Sequence, residues 1–171
     1  MYYAGIGSRK TPHEILELME QLAYWLADED QLVLRSGHAP GADQAFERGA
    51  EQAEGDMQIF LPWTSFECDT PVPATAKVFT EPLPPAYHEA AKHHPVWPKL
   101  SRPVRALHAR NAHQILGPGL DQPATFVICW TLRGGRSGGT GQALRIAEAH
   151  DIPIYDLGIS EVEETCRSWV L

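Results

Sequence analysis

Apolar residues fall into two kinds of run along this chain. Tyr2 to Gly7, Gln31 to Arg35, Met57 to Leu61, Ala124 to Trp130 and Ile154 to Leu157 are short and nearly continuous, the pattern of strands buried on both faces. Between them the apolar residues recur every three or four positions. Ile15, Leu18, Met19, Leu22 and Leu26 make one such stripe, and Thr11-Pro12-His13-Glu14 ahead of it predicts a helix to about Asp28, with Thr11 as cap and Pro12 in the first turn. Further helices are predicted from Asp43 to about Ala53, Arg102 to Leu116, Thr140 to His150 and Ser160 to about Val170. Strands alternating with helices predict an α/β fold of three layers, with a mostly parallel sheet flanked by helices. Right-handed crossovers then bring the loops after the strands to one edge of the sheet.

The pattern weakens from Thr64 to Ser101, where Pro71, Pro73, Pro82, Pro84, Pro85, Pro95 and Pro98 interrupt it. A short strand at Lys77 to Phe79 and a helix at Pro84 to His93 are predicted there, in a stretch that reads as a Pro-rich insertion or lid at about 64–101. A chain of 171 residues is expected to form one domain around one core. No apolar run is long enough for a membrane span, and the first residues read as a strand rather than a leader, so a cytoplasmic protein with no membrane partner is expected.

The richest chemical signal is Leu132 to Ala143, which holds five glycines between a buried strand and a helix start. Backbone N–H groups in such a loop can converge on an anion, with help from the positive end of the helix dipole. The candidates there are Gly135, Ser137, Gly138, Gly139 and Thr140, and Thr140 either caps the helix or turns its hydroxyl to a phosphate oxygen. The alternative is a mobile surface loop. The spacing matches neither the dinucleotide fingerprint nor the P-loop. Two more turns leave strands toward the same edge, Gly7-Ser8-Arg9-Lys10 and Ser36 to Asp43. Asp43 is placed either to cap its helix or to hold a ligand hydroxyl.

Charge narrows the ligand. The net charge of −8 argues against indiscriminate nucleic-acid binding. Residues 90–120 nevertheless contain no acid, while Lys92, Lys99, Arg102, Arg105 and Arg110 are basic, which suits a discrete anionic ligand. Arg102 and Arg105 are read either as solvent-facing or as anion contacts. Cys68, Cys129 and Cys166 form no Cys-x-x-Cys pair, so neither a disulfide framework nor a zinc ribbon is indicated. The histidines show no metal-ligand spacing: His93 and His94 are adjacent and His108 and His113 five apart. Neither a metal nor a cofactor is expected.

Taken together, Gly5-Ile-Gly-Ser-Arg-Lys-Thr-Pro, Leu34 to Ala50 with its Ser-Gly-His-Ala-Pro-Gly-Ala-Asp, Ala109-Arg-Asn, and Ser137-Gly-Gly-Thr-Gly resemble the SLOG superfamily of Rossmann-like proteins. That group includes DprA (Smf), the LOG phosphoribohydrolases and small YspA-like proteins, the last being the nearest in character. The resemblance implies a first ligand loop at Gly7 and Ser8, and a second at Ser36, Gly37, Gly41 and Asp43. Arg110 and Asn111 look like the Arg-Asn of DprA, and Gly138, Gly139 and Thr140 look like the LOG phosphate loop. The LOG glutamate is missing: its position is Ala143.

The function expected is therefore that of a nucleotide-binding protein, extending to a nucleoside 5'-monophosphate N-glycosidase. In that reading Gly138 to Thr140 hold phosphate, Arg110 neutralises it, Asp43 contacts ribose, and Ser8, Arg9 and His38 complete the pocket. Asp43 and Arg110 are the catalytic candidates, with Glu47 as a substitute carboxylate. The alternative is a non-enzymatic DprA-like module that binds single-stranded DNA or a protein partner, using Trp63 and Trp97 for stacking. Homodimer formation is compatible with either.

Overall fold

A computed structural model describes residues 1–171. Its centre is a sheet of β1 (Tyr2–Gly5), β2 (Val33–Ser36), β3 (Met57–Phe60), β4 (Ala76–Phe79), β5 (Phe126–Cys129) and β6 (Ile154–Asp156). The strand order is β4-β3-β2-β1-β5-β6, and every neighbouring pair is parallel. The chain thus builds outward from β1 to one edge, then returns to β1 and builds toward the other. The direction reverses between β1 and β5, where the loops after the two strands diverge and leave a crevice.

Helices cover both faces. α1 (His13–Asp28), α2 (Ala42–Gln52) and α6 (Ser160–Trp169) pack on one side, and α3 (Pro84–Lys92), α4 (Arg102–Leu116) and α5 (Gly138–Ala149) on the other. Side chains of a strand alternate between faces, so Tyr3 joins the α1 side while its neighbour Ala4 joins the α5 side. Tyr3 lies opposite Phe126 in register, their rings stacked 5.6 Å apart. The α1 stripe read from the sequence is buried as expected, with Ala23 added. The observed fold is the three-layer α/β, Rossmann-like architecture, and its sheet is parallel throughout.

The Pro-rich stretch supplies regular structure. β4 extends the sheet alongside β3 from Met57↔Ala76 to Phe60↔Phe79, with Phe60 and Phe79 rings 4.9 Å apart. α3 starts on two prolines, which suit a first turn whose N–H groups lack partners, and it buries Ala86 and Ala90 beside α4.

Two helix starts differ from expectation. Thr11 caps nothing: its hydroxyl donates to the Ser8 carbonyl at 2.6 Å, and Pro12 occupies the cap position of α1. α5 begins two residues earlier than expected, with Ser137 at its cap position and Thr140 inside the first turn. No helix is long and apolar enough to cross a membrane.

Candidate ligand-binding site

A cleft of about 880 Å³ opens over the carboxyl ends of β1 and β5. Three walls enclose it: the loop Gly7 to Lys10 after β1, the segments Trp130 to Leu132 and Ser137 to Thr140 after β5, and one face of α4. Val104, Leu107, His108, Asn111 and Gln114 form that face, at the three- and four-residue spacing that aligns side chains on a helix.

The start of α5 faces this space. The N–H groups of Gly138, Gly139 and Thr140 have no acceptor within the protein, and the first bond of the helix is Gly141 N–H to Ser137 O at 3.1 Å. Gly138 takes φ +65°, and a Cβ built there would meet nothing within 4 Å; a Cβ on Gly139 would meet only Asn111 Nδ2, at 4.0 Å. Free donors, a helix dipole and empty volume thus coincide.

The glycine loop is held firmly from behind. Arg136 donates to the carbonyls of Gly134 and Gly135 at 3.1 and 3.2 Å and to Glu148 at 2.9 Å. The buried Asp156 carboxylate accepts from Thr131 N–H and Gly158 N–H, each at 2.9 Å, and from the Thr131 hydroxyl. Fixed geometry of this kind distinguishes the loop from a flexible linker. Gly135, an expected ligand contact, lies behind Ser137 with its carbonyl turned to Arg136, outside the cleft lining.

Arg110 and Asn111 fasten the loops together. Arg110 Nη1 donates to Gly37 O and Nε to Asn111 Oδ1 at 3.1 Å; Asn111 Nδ2 donates to Gly139 O at 3.1 Å and to Gln142 Oε1 at 3.2 Å. One dipeptide on α4 therefore joins the turn after β2 to the start of α5. Arg110 is buried, and burial lowers its pKa while Asp43 opposes that shift. Its guanidinium is largely committed to these partners, so it acts as a brace as well as a cleft wall.

Asp43 stands beside Arg110 in the first turn of α2. It does not cap the turn in the usual way but reaches back, accepting Ala39 N–H at Oδ2, 3.2 Å. Burial pushes its pKa up to about 6, against the pull of Arg110. It is the only carboxylate in a cleft wall that also holds Arg9, Lys10 and Arg110. Gly37 must be glycine here, because a Cβ would sit 2.4 Å from Arg110 Nη1 and 2.9 Å from Asp43 Oδ2.

The rest of the second loop turns inward. Ser36 Oγ donates to Glu47 Oε1 at 2.6 Å and His38 N–H to the same oxygen at 3.0 Å; the His38 ring contacts Glu47 Oε2 at 2.6 Å and Thr70 O at 2.9 Å. With acceptors at both ring nitrogens, and Glu47 as the main cause, the imidazole pKa is raised. Ser36, His38 and Glu47 are thus a buried internal network away from the cleft lining, unavailable to a ligand. Gly41 serves packing: its φ of +90° lets the second loop lie against Ser8 O and Arg9 Cα, each 3.1 Å from a would-be Cβ.

Of the expected contacts the structure brings together Gly7, Ser8, Arg9, Asp43, Arg110, Asn111, Ser137, Gly138, Gly139 and Thr140 around the cleft. Lys10, read as part of the first turn, also lines it, whereas Trp130 and the α4 residues Val104, Leu107, His108 and Gln114 were not foreseen. Arg105 is drawn away, donating to Trp97 O and Pro98 O and lying 5.6 Å over the Trp97 ring. Trp97 packs beside His94 and His108 with Arg105 over its ring, while Trp63 meets Phe66 edge-on at 5.4 Å, stays 37% exposed and lies outside the cleft lining. His113 donates Nδ1–H to Gly117 O and accepts Leu83 N–H at Nε2, at 3.0 and 3.1 Å; burial keeps it neutral by lowering its pKa. Ala143 lines the cleft, so a methyl group stands where the resemblance places a glutamate.

No protein-family model matches the chain, and neither does any curated protein sequence. Solved structures do. The molybdenum cofactor carrier protein of Chlamydomonas reinhardtii superposes with a TM-score of 0.57 at 15% identity, covering 98% of this chain and 81% of its own. A second structure of that carrier gives 0.56, also at 15% identity, with 98% and 83% covered. DNA processing protein A from Streptococcus pneumoniae gives 0.54 at 17% identity, covering 99% of this chain and 55% of its own. At such identities the likeness establishes a shared fold.

Proposed function

We propose that the protein binds a phosphorylated small molecule of the nucleotide class in the cleft between β1 and β5, the phosphate on the N-terminus of α5. The observation that carries this reading is the set of three acceptor-less N–H groups at Gly138, Gly139 and Thr140, opening onto empty volume. Lys10, partnerless in the first loop, supplies positive charge to the cleft, and Arg9, paired with Glu67 at 3.6 Å, adds to it. Arg110 contributes field while bracing the loops. The ribose hydroxyls would meet Asp43, and the apolar Val104 and Leu107 would accept a ring.

Hydrolysis of the N-glycosidic bond is the catalytic extension of the same reading. Water would add to the anomeric carbon as the base departs with a proton, leaving ribose 5-phosphate. The oxocarbenium-like charge needs a nearby carboxylate, and with Ala143 in the α5 position that role falls to Asp43. A pKa near 6 leaves Asp43 mostly ionised at neutral pH and able to exchange a proton there. A single-stranded DNA module has less support, because Trp97 is packed, Trp63 lies outside the cleft lining and the chain carries −8.

The test is a thermal-shift screen of nucleoside mono-, di- and cyclic phosphates, with the molybdenum cofactor and oligonucleotides as further arms, and chromatography of each mixture for released base. A ligand at one hundred times its Kd stabilises the folded state by about 2.7 kcal/mol. Stabilisation by a nucleotide supports binding, and free base with ribose 5-phosphate supports the hydrolase. Stabilisation by oligonucleotides alone would overturn both.

A further inference from the structure

His108 is the one titratable group in the cleft wall for which the binding reading has found no task. It lies on α4 one turn before Asn111, whose amide holds Gly139 O at 3.1 Å and Gln142 Oε1 at 3.2 Å. The residue is 7% exposed, and its Nδ1 is buried with no hydrogen-bond partner. A buried polar atom left unpaired costs about 1–3 kcal/mol, so such an atom in the wall of a cleft marks a place for a partner.

The surroundings of the ring are cationic. His94, from the segment after α3, lies 4.7 Å away centroid to centroid, its own pKa lowered by burial and Arg145; Arg145 faces His108 from α5 and Arg110 from its own helix, while a side-chain hydrogen bond with Gln142 works the other way, favouring the protonated ring. Asp43, the cleft's carboxylate, is held by Ala39 N–H and faces Arg110. Burial and these positive neighbours keep His108 neutral by lowering its pKa.

We infer that His108 is the proton-linked member of this site, taking up a proton from solvent when a phosphate dianion settles on the N-terminus of α5. The inference rests on the phosphate reading above. His108 lines the same cleft as Gly138, Gly139 and Thr140, and a dianion seated there would raise the histidine pKa by about one to three pH units if it comes within about 4–6 Å of the ring. The added proton in turn strengthens the hold on the phosphate. Binding would then weaken as the pH rises through the pKa of the liganded histidine.

The experiment is an NMR pH titration of the 15N-labelled chain with and without inorganic phosphate, following imidazole and backbone amide signals. The His108→Asn variant identifies the His108 ring by its missing signals. Expected are phosphate-induced shifts at the Gly138, Gly139 and Thr140 amides together with a rise of about one pH unit or more in the His108 pKa. In the variant, the fall in phosphate affinity between pH 6 and 8 should flatten, after allowance for the ionisation of phosphate itself. Amide shifts with an unmoved His108 would overturn the proton linkage alone. An unchanged fall in the variant would do the same, by assigning the linked proton to another group. No response from either the amides or the ring would overturn the phosphate reading as well.

Discussion

Adding one methyl group at Gly139 separates ligand binding from folding. Gly139 has an ordinary negative-φ helical backbone, and its would-be Cβ meets only Asn111 Nδ2, at 4.0 Å. Alanine therefore fits the empty protein. Glycine in a helix interior is worse than alanine by about 1 kcal/mol, and in the first turn we expect about half of that, so Gly139→Ala should leave Tm unchanged or raise it by about 1–2 °C. The Cβ of a helical residue tilts toward the N-terminus, and at Gly139 that direction leads into the space where an anion would collect the free N–H groups. Displacing the anion from one charge-assisted hydrogen bond costs about 1.5–3 kcal/mol, or roughly ten- to a hundredfold in affinity. The assay is calorimetric or thermal-shift titration of parent and variant with the best nucleotide from the screen. Unchanged affinity in a variant of unchanged Tm would refute the placing of phosphate on these amides.

Three further outcomes follow from the buried charges. Asp43 has a folded pKa of about 6, against 3.8 for the free side chain; the folded state then holds its proton more tightly than the unfolded chain, and Asp43 makes stability fall as pH rises from about 4 to 6. Asp43→Asn should remove that fall, of order 3 kcal/mol, from urea unfolding measured across the window, and an identical pH profile in the variant would contradict the buried-carboxylate account. Arg110→Met leaves Asp43 buried without its cation and frees Gly37 O, so chemical denaturation should show a loss of about 3–5 kcal/mol; a loss below about 1 kcal/mol would mean that Arg110 is no brace. Asp156→Ala leaves the Thr131 and Gly158 N–H groups and the Thr131 hydroxyl without their acceptor, with an expected loss of about 2–3 kcal/mol and, through the loosened loop, weaker nucleotide binding in the same titration.

The hydropathy pattern carried the layers because it reports local periodicity. Each two-sided strand and the α1 stripe could be read from neighbours in sequence, and so could the loops at the sheet edge. Even in the Pro-rich stretch β4 was legible to within one residue, as Lys77 to Phe79 against the observed Ala76–Phe79; its signal was weak because it is a short edge strand in a run of prolines, and its pairing with β3, which ends sixteen residues earlier at Phe60, could not be read from neighbours in sequence. The site was legible at Gly138, Gly139 and Asn111, which the backbone itself makes special. It was not legible at His38 or Glu47, where a ring and a carboxylate nine residues apart in sequence close on each other only after α2 has folded. Nor could spacing alone tell that α4 turns Val104, Leu107 and His108 toward the crevice. That orientation depends on Arg110 reaching Gly37 and Asn111 reaching Gly139, two contacts between distant parts of the chain.

The central claim, that the phosphate of a nucleotide is held at the start of α5, is tested most directly by comparing the affinities of adenosine 5'-monophosphate, ribose 5-phosphate and adenosine under one buffer condition. Adenosine serves here as the representative nucleoside, to be replaced by whichever base the screen selects. The phosphate should be worth tenfold or more, so that the monophosphate binds far more tightly than the nucleoside and ribose 5-phosphate binds measurably on its own. Equal affinity for nucleoside and monophosphate, with no binding of ribose 5-phosphate, would contradict the account.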